Sequence, residues 1–351
     1  MEPEENKLKV ALCLSGQPRT FRTVARNIRE VFCSDSTVSV DIFIHSWLDN
    51  ESYTVPKEYS RFEGENDLRQ DLVNCFFPKR IKLEDKEYYK YGGRQWDQWM
   101  CQAHSVAESI NLIRPFWENY DWVFWTRLDC FRADFSKEYY SAVPVNYSNL
   151  RKILAGHFTE LVDNGSAIQK FFNFEDRGKD LLNRVVFSPY RCEPEGWCGN
   201  IVHLQDWSLM GTPGPMLRIL GEFEETLSLF RAIGTFSVNS MYDAEGMSME
   251  LTLPFALTSK RVGLITTDKI LSPDLWIYRP WAEICKLDPY ELKSWEILKD
   301  VWNNRCEEWH INTPLSEIQY ILKKRYNWYI DHGNKSTNSS IGKGNENTNL
   351  I

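Results

Sequence analysis

None of the nine cysteines in this 351-residue chain forms a CxxC pair, and the two nearest, Cys192 and Cys198, do not stand in a recognised zinc-motif spacing. That argues against a cysteine zinc motif. An odd count in a long chain points instead to free thiols in a reducing compartment. No apolar run reaches the length that spans a bilayer. The opening "MEPEENKLKV" is acidic and polar, with no basic stretch leading into an apolar one, so no secretory signal is expected. An amphipathic basic helix for membrane attachment is missing as well. Positive charge is not in excess either: the formal net charge of −8 argues against coating duplex nucleic acid. Neither a GxGxxG fingerprint nor a Walker A loop occurs, and there is no internal repeat. The expectation is a soluble, cytoplasmic protein with no membrane span and no duplex nucleic acid partner.

What is present reads as a folded α/β chain. Apolar residues make up 42% and aromatics 14%, enough for a sizeable core. "KVALCLSG" (residues 9–16) is a short apolar run closed by Ser-Gly, the form of a buried parallel strand. "FRTVARNIREVF" (21–32) places Phe21, Val24, Ile28, Val31 and Phe32 on one helical face. "VSVDIFIHSW" (38–47) is a second strand, which completes a right-handed βαβ unit. "RIKLE" (80–84) reads as a third strand. A long helix is expected over 95–117, ended or kinked by Pro115, and "YDWVFWTRLDCF" (120–131) follows as a strand.

Later segments are less regular. "KILAGHF" (152–158), "RVVFSPY" (184–190) and "RVGLIT" (261–266) are expected as strands, and "NIVHLQDWSLMGTPGPM" (200–216) as strand, loop and a Pro-opened helix. A further helix is expected over 244–257. The organisation that follows is a polar extension over 1–7, a main domain over 8–270, a helical cap over 271–331 and a flexible tail over 332–351. The fold class is a mixed, mainly parallel sheet flanked by helices on both sides, with that cap at the C-terminal end.

Ligands of open α/β sheets bind beyond the carboxyl ends of the strands, so residues there are the candidates. The first strand ends in Ser15, Gly16, Gln17 and Arg19, the second in His45, and the 120–131 strand in Arg127 and Asp129. Arg19 and Arg127 suit phosphates, Gly16 allows close backbone approach, and Asp129 suits a divalent cation. Each has a plainer reading: a simple turn for "SGQPR", a hydrogen-bonded structural residue for His45, an internal salt bridge for Arg127 and Asp129. Asp206 and Glu250 are candidate general bases; their plainer readings are an Asx turn and a solvated helix face.

"VALCLSGQPRTF", "VDIFIHSW", a helical "Q…S" and "YDWVFWTRLD" together resemble a family of predicted sugar-nucleotide-dependent glycosyltransferases of surface-polysaccharide gene clusters and large viruses. The resemblance is best over residues 8–135 and continues loosely through "QDWSLMGTP" and "GMSMELTLPFAL". It implies a GT-A type, Rossmann-like fold. It also implies a nucleoside-diphosphate sugar as donor, a glycan or other hydroxyl acceptor, and a Mn²⁺ or Mg²⁺ ion held by an Asp-x-Asp motif. Here that motif is incomplete, with Asp129 flanked by Arg127 and Phe131. On this reading Ser15, Gly16, Gln17 and Arg19 line the nucleotide, Arg127 and Asp129 serve the diphosphate, and Gln98 and Gln102 touch ribose or sugar. Asp206 faces donor or acceptor, and Glu250 is the second candidate base. A catalytically inactive nucleotide-sugar-binding protein is the alternative. A phosphotransferase ranks below both, because that chemistry asks for two or more clustered carboxylates.

Overall fold

The computed structural model describes residues 7–48, 65–85, 94–157, 179–189, 208–233, 259–272, 276–277 and 288–296, with single positions at 253, 256, 257 and 299. Its centre is a seven-stranded mixed sheet of order β3-β2-β1-β4-β7-β6-β8. The strands are β1 (Leu8–Gly16), β2 (Val38–Trp47), β3 (Arg80–Glu84), β4 (Trp122–Arg127), β6 (Val185–Ser188), β7 (Ser208–Gly211) and β8 (Gly263–Thr266). The neighbours β3-β2, β2-β1, β1-β4 and β6-β8 run parallel. β7 is antiparallel to both β4 and β6. A separate two-stranded ladder joins β5 (Cys130–Phe131) to β9 (Trp276–Ile277). The architecture is α/β, compatible with a Rossmann-like fold.

The two faces are separated by the period-two alternation of the strands. Val10, Leu12, Leu14, Ile42, Ile44, Trp122 and Phe124 point into one core, and Ala11, Cys13, Phe43, Val123 and Trp125 into the other. The first core is covered by α1 (Phe21–Cys33), α2 (Glu65–Phe76), α4 (Tyr147–Leu154) and the short α5 (Lys179–Leu182). The second is covered by α3 (Arg94–Asn111), α6 (Pro213–Ile219) and α7 (Phe223–Ile233). This split follows from connectivity. The β1-β2-β3 crossovers step one way along the sheet, while β3 to β4 steps back past β1. Right-handed crossovers in opposite directions place their helices on opposite faces, and α3 accordingly lies opposite α1 and α2. The sheet therefore reverses its strand order between β1 and β4.

Several expectations are corrected. "KILAGHF" is not a strand, because helix α4 covers Tyr147–Leu154. The Asn146 side chain accepts from the Asn149 N–H and caps it, and Tyr147, Leu150 and Ile153 are buried at helical spacing. The long helix stops at Asn111, and Pro115 opens a separate 3-10 turn over Arg114–Asn119. Of the 200–216 segment, read as strand, loop and a helix opened by Pro213 or Pro215, the described part is the strand Ser208–Gly211 and a helix that opens at Pro213; residues 200–207 lie outside the described residues. Of the 271–331 cap, the described part contains β9 and a helical stretch at 292–296. Leu271 belongs to the main core, and Trp295 stacks on Phe135 with ring centroids 5.1 Å apart. The expected helix over 244–257 and the tail lie largely or wholly outside the described residues.

Among the described residues no helix is long and apolar enough to cross a membrane. No disulfide joins any two of their five cysteines, Cys13, Cys33, Cys75, Cys101 and Cys130.

Candidate functional site

The strand order reverses between β1 and β4, and it is beyond the carboxyl ends at such a point that open α/β sheets bind ligands. Ser15 pairs in register with both His45 and Arg127, so the sequence-predicted strand ends meet at one edge. Gly16 closes β1 at a φ of +123°, a conformation that L side chains avoid. A Cβ at Gly16 would meet no atom within 4 Å, so the backbone faces open space among the described residues. Two bonds fix this turn: the Gly16 N–H donates to Ser105 Oγ at 3.0 Å, and Ser46 Oγ donates to the Gly16 carbonyl at 2.8 Å. Gly16→Ala is expected to cost about 1 kcal/mol or more of stability, through backbone strain rather than collision. Chemical denaturation would measure it.

β4 ends at Arg127, so Asp129 lies in the following turn and not at the next same-face position of the strand. Its backbone approach is set by the Leu128 N–H, which donates to the Ser15 carbonyl at 3.0 Å. The Asp129 carboxylate folds back and accepts from Arg127 Nε at 2.9 Å and from an Arg127 terminal nitrogen at 3.0 Å. Arg19 approaches the same carboxylate at 3.8 Å, and Arg19 Nε donates to Gln17 Oε1 at 2.7 Å. Asp129 is only 4% exposed. Two guanidiniums thus converge on one buried acid beside the open Gly16 backbone.

Ser15 is buried and accepts from Trp125 Nε1 at 2.9 Å, so its hydroxyl supports the strand pair. Gln102 is half-buried on α3, one helical turn before Ser105. Gln98 is on the same helix, and its side chain lies outside the described residues. Asp206 and Glu250 lie outside them too; Asp206 is two positions before β7, which starts opposite Thr126 at the carboxyl end of β4.

A second group stands behind Gly16. His45 is fully buried, with Nδ1 2.8 Å from Ser105 Oγ and Nε2 2.8 Å from Glu84 Oε2. Burial lowers its pKa, partly offset by Glu84. Burial thus favours the neutral imidazole. Ser105, already accepting from Gly16, gives its own proton to Nδ1, and Nε2–H donates to Glu84. His104 Nε2 meets the same Glu84 oxygen at 2.9 Å, and His104 Nδ1 meets Glu224 Oε2 at 2.7 Å. Both His104 nitrogens face acceptors, so both carry protons. Burial alone would lower His104, but the Glu224 and Glu84 hydrogen bonds outweigh it and push it up to about 9. The bond from His45, and then those from Lys82 and His104 against burial, hold the Glu84 carboxyl far below the usual range.

Sequence reasoning missed this cluster. His45 was singled out, but Glu84, His104, Ser105 and Glu224 come from β3, α3 and α7, and nothing in their local spacing joins them. Also missed was a buried polar set under the turn: Arg132 donates to Ser208 Oγ and to the Ser272 carbonyl, and Ser208 donates to Thr126 Oγ1 at 3.0 Å.

No family model matches this chain, and no curated protein matches it.

Proposed function

We propose that this chain transfers a sugar from a nucleoside-diphosphate sugar to an acceptor hydroxyl, on a sheet of the GT-A type. The observation that carries the reading is the Arg19–Asp129–Arg127 cluster beside the open Gly16 turn at the strand-order reversal. The antiparallel β7 next to β4 is consistent with the same fold, as is the resemblance of the strand-end motifs. In this reading the Gly16 turn lets the diphosphate approach the backbone, and Arg127 and Arg19 neutralise its charge. Asp129 orients the two guanidiniums.

A divalent cation at Asp129 does not fit this arrangement. Both carboxylate oxygens are taken by Arg127, and positions 127 and 131 carry Arg and the fully buried Phe131 in place of a second acid. Charge stabilisation of the leaving diphosphate therefore falls to the arginines. In the reaction the acceptor oxygen bonds to the anomeric carbon, the bond from that carbon to the diphosphate oxygen breaks, and the nucleoside diphosphate leaves. The acceptor proton passes to a general base, for which Asp206 and Glu250 are the candidates.

A thermal-shift screen of UDP, GDP, CDP, ADP and dTDP, in chelator and with Mg²⁺ or Mn²⁺, tests the donor site. A ligand at a hundred times its Kd should stabilise the fold by about 2.7 kcal/mol. One nucleotide should do so, the shift should persist against an equally chelated control, and Arg127→Ala should abolish it. Donor hydrolysis or transfer separates an enzyme from the alternative, an inactive binding protein. Silence from every nucleotide would leave Arg127 and Asp129 as a structural ion pair.

A further inference from the structure

We propose that His45, Glu84 and His104 form a zinc site, separate from Asp129 and independent of the glycosyl-transfer reading. The three residues come from β2, β3 and α3, and their ligand atoms lie within 4.8 Å of one another. Glu84 Oε2 is 2.8 Å from His45 Nε2 and 2.9 Å from His104 Nε2. Around a tetrahedral zinc with bonds of about 2.0–2.1 Å, ligand atoms stand about 3.3 Å apart, so small side-chain adjustments would admit the ion.

The surroundings match what a zinc site needs. Metal-bound imidazoles characteristically hold their other nitrogen in a hydrogen bond that fixes the ring. Here Glu224 holds His104 Nδ1 and Ser105 holds His45 Nδ1. Lys82 holds the second Glu84 oxygen at 2.8 Å, and Glu108 in turn holds Lys82 at 2.7 Å. The buried Trp47 packs on both rings, with centroids 5.0 and 5.4 Å away. On binding, His45 would carry its ring proton on Nδ1 in place of Nε2, with the Ser105 hydroxyl as acceptor, and His104 would release its Nε2 proton to solvent. Two imidazoles and one carboxylate select zinc over the oxygen-seeking Mg²⁺. Three protein ligands leave a fourth place for water. The ion would pin β2 and β3 to α3, directly behind the Gly16 turn.

The test uses the full chain, stripped with a chelator and titrated with Zn²⁺ against a chromophoric competitor. One equivalent should bind, and excess Mg²⁺ should not displace it. Glu224→Gln, which leaves all three ligands in place, should weaken binding about 10–100-fold. His104→Ala should remove the site. If His104→Ala fails to fold by circular dichroism, Glu224→Gln and Glu84→Gln carry the test. Co²⁺ in place of zinc should give the visible bands of a four-coordinate nitrogen and oxygen site. The proposal is overturned by absence of stoichiometric zinc, by affinity unchanged in these variants, or by a cobalt–thiolate charge-transfer band that assigns the metal to cysteines.

Discussion

Arg127→Ala is expected to lower folding stability by about 3 kcal/mol, and a second substitution, Asp129→Ala, is expected to restore most of it. Asp129 is 4% exposed, and both its oxygens are held by Arg127. Removing one partner of a buried ion pair leaves an uncompensated charge, which costs about 3–5 kcal/mol. Arg19, 3.8 Å from the carboxylate, remains in Arg127→Ala, so the lower end of that range applies. Taking away both charges removes the stranded anion, and the two losses should be far from additive. Urea denaturation of the two single variants and the double variant reads this directly. A double variant as unstable as the sum of the singles would sink the ion-pair account and make the pair's two side chains independent packing elements. Together with the nucleotide screen, the result separates two duties of one residue: Arg127 can hold its turn whether or not it also binds phosphate.

A loss of similar size, about 3–5 kcal/mol, is expected for Asn27→Ala. Asn27 has no exposed surface, although it lies in the middle of an amphipathic helix. Its Oδ1 accepts from the Arg132 N–H at 2.7 Å, and its Nδ2 donates to the Arg132 carbonyl at 2.6 Å and to the Tyr140 hydroxyl at 3.0 Å. One side chain thus satisfies both backbone groups of a residue just beyond β5, as a paired strand would. Alanine would leave a buried N–H and a buried carbonyl unmade, each worth about 1–3 kcal/mol. The neighbouring Arg26→Ala is the control. That side chain is 60% exposed, pairs along the helix with Glu30 and lies over the Tyr290 and Tyr140 rings at 4.5 and 5.8 Å, so the change should cost about 1 kcal/mol, well below the Asn27 loss. Comparable midpoints for the two variants in urea would mean that the Arg132 backbone finds other partners. Arg132 has a second stake in the outcome, because its own guanidinium is buried against Ser208 and the Ser272 carbonyl.

Asn27 also shows where a sequence reading stops. The stripe of Phe21, Val24, Ile28, Val31 and Phe32 was legible as the buried face of α1, and all five are buried. Asn27 lies within that face, but its partner is 105 residues away and carries no local signal. "KILAGHF" failed for a related reason. Its short apolar run fits a strand or a helix equally well, and the Asn146 cap that decides the matter lies outside the quoted stretch. His45 was legible as a strand-end polar residue. The network that bonds both of its ring nitrogens was not, since its members arrive from three other elements.

The sequence alone determined β1, β2, β3, β4 and α1, the order in which they alternate, and which residues the first strands carry to their carboxyl ends. Those features rest on short-range periodicity and on turn residues, which act within a few positions of the chain. Only the tertiary structure decided that β7 runs antiparallel beside β4, that Asp129 turns back onto Arg127, and that Glu84, His104, Ser105 and Glu224 gather around His45. Such pairings depend on how segments far apart in the chain approach one another once two cores have closed on the sheet. Charge and hydrogen-bond complementarity then select partners among whatever groups the packing has brought within reach.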